Sequence, residues 1–288
     1  MAKKYPKIGL ALGSGGARGL AHIGVLKSLE KNNIPIDYIA ASSIGSIIGA
    51  HYATYQDSQK LEELVLSFTT KQGMRLFDFT IRGGLIKGEK TERFISEILG
   101  NTHFHRLKIP LAVVATDFNT AESVVFTSGN LTKAIRASIA VPAVYQPILY
   151  LDKLLADGGL SNPVPVTVAK EMGADITIAV NLDHVYGENT LTEIPMLLRV
   201  PTQALTILRH NLAEQAITKA DIIIAPQNKF RIGLVGWNNF FNKDRAMQII
   251  DEGEKAADQM IPEIKKKIAR HQQKNSLLKK LFQFFIEG

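Results

Sequence analysis

Short runs of Ile, Val and Ala that lack polar alternation recur along this chain, separated by stretches with helical spacing, and that rhythm constrains the fold most. KIGLAL at 7–12 precedes a helical pattern over 18–31, and IDYIAAS at 36–42 precedes another over 44–55. A strand with one wet face alternates apolar and polar residues, whereas a strand covered on both faces does not. Further strands of this type are expected at 110–116, 123–127, 147–151, 175–182 and 221–226, with helical patterns between most of them. The expected fold class is α/β, a three-layer α/β/α arrangement around a mostly parallel central sheet.

Between the second helix and the strand at 110 lies a stretch, about 56–108, with two helical patterns around RLFDFTIRGGLIKGEK; it is expected to form a flap-like helical insertion. Residues 191–219 read as a helical segment interrupted at Pro201, and 242–270 as a polar amphipathic helix running into the C-terminal tail. No internal repeat or low-complexity block is seen.

The chain contains no cysteine, which excludes a disulfide framework, a zinc–thiolate site and a cysteine nucleophile. The start, MAKKYPKIGLALGSGG, lacks the apolar core of about 7–15 residues found in secretion signals, and no apolar run approaches the ~18 residues needed to span a bilayer. A cytoplasmic location is expected. The net charge is +7, but seven basic residues from Lys265 to Lys280 face only Glu287, so residues 265–288 carry +6. A near-neutral body argues against nucleic-acid binding and for a basic tail with an anionic partner.

Three local motifs carry chemistry. Residues 13–19, GSGGARG, follow a buried-type strand and open a helix, where backbone N–H groups converge on negative charge. A dinucleotide fingerprint needs glycine where Arg18 stands, and a triphosphate loop needs a Lys-Ser/Thr pair that is absent, so stabilisation of an oxyanion gains weight. A βα turn that merely favours glycine is the bland alternative, although four glycines exceed what a turn requires.

Ala41-Ser42-Ser43-Ile44-Gly45 falls where a strand ends and a small-residue helix begins, the context of a nucleophile elbow. The elbow wants small residues two before and two after the serine. Gly45 fits, and Ala41 stands where glycine is usual. Helix N-capping is an equally ordinary use of such a serine.

A serine nucleophile needs a base. None of the histidines at 22, 51, 103, 105, 184, 210 and 271 has a convincing context, His184 being the best placed after a strand. Asp157, at the end of an apolar run in Leu154-Leu155-Ala156-Asp157-Gly158-Gly159, is the alternative, with a simple Asp-Gly turn as its commoner use.

Taken in order, GSGGARG, SSIG and DGG resemble the patatin-like phospholipase family, bacterial branch, as do RGLAHIGVLKSLE, GGLIKGEK, ASIAVPAVYQP and DGGLSNPVP. The resemblance runs from about Ile8 to Pro226, so residues 1–226 are expected to form the catalytic domain and 227–288 a C-terminal helical extension. It implies a Ser43–Asp157 dyad without histidine, and an oxyanion hole from backbone N–H groups of Gly15, Gly16, Ala17 and Arg18, with Arg18 also orienting the loop. The implied activity is hydrolysis of fatty-acyl esters, of the phospholipase A or lysophospholipase type, with no metal and no organic cofactor. Acyl transfer or thioester hydrolysis would use the same residues, and a catalytically weak lipid-binding module is the alternative from another class.

In the tail, Ile261, Ile264 and Ile268 have helical spacing, and Leu277, Leu278, Leu281, Phe282 and Phe285 form a second stripe opposite Lys279 and Lys280. Residues 261–288 are therefore expected to bind an anionic membrane peripherally, at its inner face, with packing on the domain or on a second subunit as the alternative.

Overall fold

The computed structural model describes residues 5–68, 73, 77–100, 103–184, 199–227 and 242–287, with side chains to 274 in the last helix. Strands are β1 (Ile8–Leu12), β2 (Tyr38–Ser42), β3 (Gly84–Ile86), β4 (Leu111–Asp117), β5 (Ser123–Phe126), β6 (Ala143–Tyr145), β7 (Ile148–Tyr150), β8 (Lys153–Asp157), β9 (Ile176–Val180) and β10 (Ile222–Ile224). Helices are α1 (Ala21–Lys31), α2 (Ile44–Tyr55), α3 (Ser58–Ser67), α4 (Glu89–Leu99), α5 (Leu131–Ser138), α6 (Val166–Glu171), α7 (Arg199–Ile217) and α8 (Lys243–Glu287).

The main sheet has the order β10-β9-β1-β2-β4-β8-β7, with β5 also on β4. The run from β10 to β4 is parallel, and β5, β8 and β7 are antiparallel to their neighbours. The two faces differ in the size of their side chains. Ile8, Leu10 and Leu12 of β1, Ile39 of β2, Val113 of β4 and Ile178 of β9 enter one large core with α1, α2 and α5. The opposite face presents Ala11, Ala40, Ala112 and Ala179, so α6 and α7 approach the sheet closely there. At Gly9 a methyl group would lie 2.6 Å from Ala174 Cβ, which shows how little room that face leaves.

The last helix belongs to the same core over its first half. Ala246, Ile249, Ile250, Ala257, Ile261, Ile264 and Ile268 are buried in the large cluster. Glycines allow the crossing with α1: a Cβ on Gly24 would sit 1.8 Å from the Ile250 carbonyl, and one on Gly253 2.0 Å from that of Ala21. This corrects the expectation for the first apolar stripe of the tail. Ile261, Ile264 and Ile268 face the domain, because burial there removes them from water without a bilayer, and the packing alternative holds for them. The side chains of the second stripe, Leu277 to Phe285, lie outside the described residues, as do residues 191–198 of the expected helical segment and 228–241. Pro201 falls within α7, near the first of its described residues. No helix among the described residues is long and apolar enough to cross a membrane.

The stretch at 56–108 supplies α3, β3 and α4, with 69–72, 74–76 and 101–102 outside the described residues. β3 pairs in parallel with β6. Leu61, Ile95 and Leu99 from this stretch are part of the large core.

Candidate active site

β4 sets up the site through its edges. It pairs with β2 up to Ser42 opposite Val114, and with β8 from Asp157 opposite Ala115. Because β5 spans Val113 to Thr116 on the other edge, β2 and β8 share one edge and abut end to end. The residue that follows β2, Ser43, therefore meets the residue that ends β8, Asp157.

Ser43 is the single residue between β2 and α2, with φ 54° and ψ −126°. A side chain in such a conformation is strained, and the surrounding contacts must hold it. The Ser43 N–H donates to Ser138 Oγ at 2.8 Å, while the Ser43 carbonyl accepts from Ser46 Oγ at 2.6 Å. The elbow rests on the glycine loop at two points where only hydrogen fits: a Cβ on Gly45 would lie 2.4 Å from the Leu12 carbonyl, and one on Gly19 2.2 Å from Ile44. Ala41 keeps the elbow intact, since its methyl group is buried in the large core opposite Gly49 of α2.

Ser43 Oγ donates to Asp157 Oδ2 at 2.5 Å, and Asp157 Oδ1 accepts from the Gly159 N–H at 2.8 Å. Both residues are nearly enclosed, at 6% and 4% exposure. Burial pushes the Asp157 carboxyl up to about 6, against the hydrogen bonds from Ser43 and Gly159 and the charge of Arg209; the negative charge of Asp183 adds to the rise. No histidine bonds to Ser43 among the described residues. His184 Nδ1 faces the Asn181 carbonyl at 3.3 Å, and the buried His22 ring lies 2.8 Å from the Gly13 carbonyl, where it steadies the glycine loop.

Residues Gly16–Leu20 form a 3-10 helix that leads into α1. The loop is pinned by Gly13 N–H to the Val180 carbonyl and Ser14 N–H to the Pro163 carbonyl. The N–H groups of Gly15, Gly16 and Ala17 meet no acceptor among the described residues, and Gly16, at φ 56°, lines the same cavity as Ser43. The Arg18 N–H donates to the Gly15 carbonyl at 3.3 Å within the turn. Its buried guanidinium pairs with Asp183. Asp183 also accepts from Arg209, from Nε at 2.6 Å and Nη2 at 2.9 Å. Ser138 falls within ASIAVPAVYQP, Asp183 and Arg209 carry no local motif, and none of the three was singled out as a site residue from the sequence.

Ser43 opens onto a cavity of about 160 Å³ enclosed by α2, α3 and α4. Its wall is apolar, with Ile47, Ile48, Leu64, Val65, Phe68 and Phe94 among its residues; the hydroxyls of Thr91 and Tyr145 lie 3.3 Å apart. Such a lining suits an apolar group.

Residues 10–170 match the patatin-like phospholipase family. An uncharacterized NTE family protein of Mycobacterium bovis is 41% identical over 182 residues, covering 62% of this chain and 49% of that protein. A protein named lysophospholipase NTE1 of Coccidioides immitis is 33% identical over 187 residues, 64% of this chain and 12% of its own length. Human patatin-like phospholipase domain-containing protein 6 is 34% identical over 61% of this chain and 13% of its own. The chain thus spans half or less of the length of these relatives. Among solved structures, the type III effector ExoU matches with TM-score 0.51 and 12% identity over 90% of this chain and 53% of its own. VipD from Legionella pneumophila matches with TM-score 0.50 and 10% identity over 90% and 67%; both likenesses concern the fold alone. With the matched segment covering more than half the sequence, the chain belongs to the patatin-like phospholipase family.

Proposed function

We propose that this chain is a serine-dependent lipid acyl hydrolase, of the phospholipase A or lysophospholipase type, that works through a Ser43–Asp157 dyad. The observation that carries the reading is the 2.5 Å hydrogen bond from Ser43 Oγ to a buried carboxylate, beside unpaired loop N–H groups and an apolar cavity. Ser43 Oγ attacks the ester carbonyl carbon while its proton passes to Asp157 Oδ2. The carbonyl oxygen becomes an oxyanion that accepts from the N–H groups of Gly15, Gly16 and Ala17 at the helix N-terminus. Collapse expels the lysolipid or glycerol alkoxide, which takes the proton from Asp157. A water molecule then attacks the acyl–Ser43 ester, gives its proton to Asp157, and releases the fatty acid as Ser43 regains its hydrogen.

Hydrolysis of a panel of phospholipids and lysophospholipids, with product identification, tests this reading. Release of free fatty acid is expected from the parent chain and is expected to vanish in folded Ser43→Ala and Asp157→Ala. Full activity in either variant would sink the dyad. The names of the relatives support a lysophospholipid as the first substrate to try.

Contact with anionic membrane is proposed for the part of the tail beyond the buried stripe, where Lys274, Lys279 and Lys280 are concentrated. Removing residues 272–288 is expected to weaken sedimentation with anionic vesicles; unchanged sedimentation would remove the proposal.

A further inference from the structure

Arg209 stands on α7, far from every motif in the sequence, yet its side chain lies against the turn that follows Asp157. Around Gly159 three groups converge: a Cβ placed there would lie 2.8 Å from Asp157 Oδ1, 3.0 Å from Ser14 Oγ and 3.1 Å from Arg209 Cδ. Only hydrogen at Gly159 allows the stem of Arg209 to lie against the Asp157 turn. The guanidinium then makes a bidentate pair with Asp183, whose carboxylate also takes the buried Arg18 of the glycine loop. Asp183 is fixed in turn, its N–H donating to Asn181 Oδ1 at 2.9 Å and its carbonyl accepting from His210 Nδ1 at 2.6 Å.

This arrangement has two consequences. The loop that carries the unpaired N–H groups and the turn that carries the base are tied to a common element, α7. The buried charges also balance: Arg18 and Arg209 against Asp183 and an ionised Asp157. Without Arg209, two carboxylates would share one cation in a dry site, and the easiest relief is protonation of Asp157.

We propose that Arg209, acting with Asp183, is a positioning residue that sets the glycine loop against the Asp157 turn and supplies the countercharge of the Asp157 carboxylate. The inference rests on the hydrolase reading above. Groups facing the Asp157 carboxylate are the Ser43 hydroxyl, the Gly159 N–H, the Arg209 cation and the Asp183 anion; Arg209 holds the carboxyl down and Asp183 pushes it up.

The test is the rate of Ser43 labelling by a fluorophosphonate across pH 4–9, with hydrolysis of a chromogenic fatty-acyl ester measured alongside. In Arg209→Met the acid limb is expected to move to higher pH by about one unit. In Asp183→Asn it is expected to move the opposite way. Arg209→Lys keeps the charge but loses the fork, so its limb is expected to stay in place while kcat falls several-fold with little change in KM. Limbs that coincide in the parent and a folded Arg209→Met would overturn the inference. If Arg209→Met does not fold, a limb in Asp183→Asn that is unmoved or moved upward overturns it, as does an unchanged kcat in Arg209→Lys. Absence of Ser43 labelling in the parent overturns the hydrolase reading itself, and this inference with it.

Discussion

Ser43 combines a conformation suited to glycine with the side chain proposed as nucleophile, and the cost of that combination is measurable. Its φ of 54° and ψ of −126° predict that Ser43→Gly is more stable than Ser43→Ala by about 1 kcal/mol, since glycine releases the strain and alanine does not. Thermal melts of the two inactive variants check this; alanine equal to or above glycine would show that the elbow is unstrained. Asp157 gives a second residue-scale result. Its folded pKa of about 6 lies above the ordinary carboxyl value of 3.8, so the neutral form favours the fold. That stabilisation is fully present below about pH 4 and is lost as pH rises through about 6. Under the proposed mechanism activity runs the other way, because only the carboxylate accepts the serine proton, and its acid limb is expected near pH 6. Asp157→Asn is accordingly expected to abolish hydrolysis and to raise stability at pH 8 by up to about 3 kcal/mol. A loss of stability at pH 8 in that variant would contradict this reading of the buried carboxyl.

Helix α8 is joined to α1 by backbone contact at Gly24 and Gly253. A side chain at either position meets a carbonyl oxygen that cannot swing away, unlike a flexible side-chain end. Gly24→Val is expected to cost several kcal/mol in urea unfolding, whereas a loss below about 1 kcal/mol would mean that the helices part easily. The elements also explain which parts of the fold could be read from sequence. β1, β2, β4 and β9 are dense in Ile, Val and Ala because both faces are covered, so their pattern is local; β10, at the sheet edge, reads as a strand from three consecutive isoleucines, of which Ile223 is exposed. β3, β6 and β8 escaped as strands because they are short or, in β8, begin with a half-wet Lys-Leu pair. The β7–β8 hairpin turns on Leu151 and Asp152, both at positive φ, in place of the Asn-Gly that usually signals such a turn. GSGGARG and SSIG were legible because a close backbone approach demands small residues next to each other. Ser138, Asp183 and Arg209 were not, since their roles depend on contacts across 26 to 165 residues of chain.

At the scale of the whole molecule, one cavity joins the elbow to the stretch at 56–108, and its apolar wall is proposed to hold the acyl chain against α2, α3 and α4. Filling it with Val65→Trp is expected to raise KM for long-chain esters by about ten-fold, the equivalent of ~1.4 kcal/mol, while leaving a two-carbon ester nearly unaffected. Equal effects on both would place the acyl chain elsewhere. An acyl group is expected to pass through Ser43. Acid-quenching the protein during turnover of a fatty-acyl ester, followed by peptide mass analysis, tests it most directly: an acyl adduct is expected on the peptide containing Ser43, absent in Ser43→Ala. Turnover with the adduct on another residue, or undiminished turnover in Ser43→Ala, would contradict it.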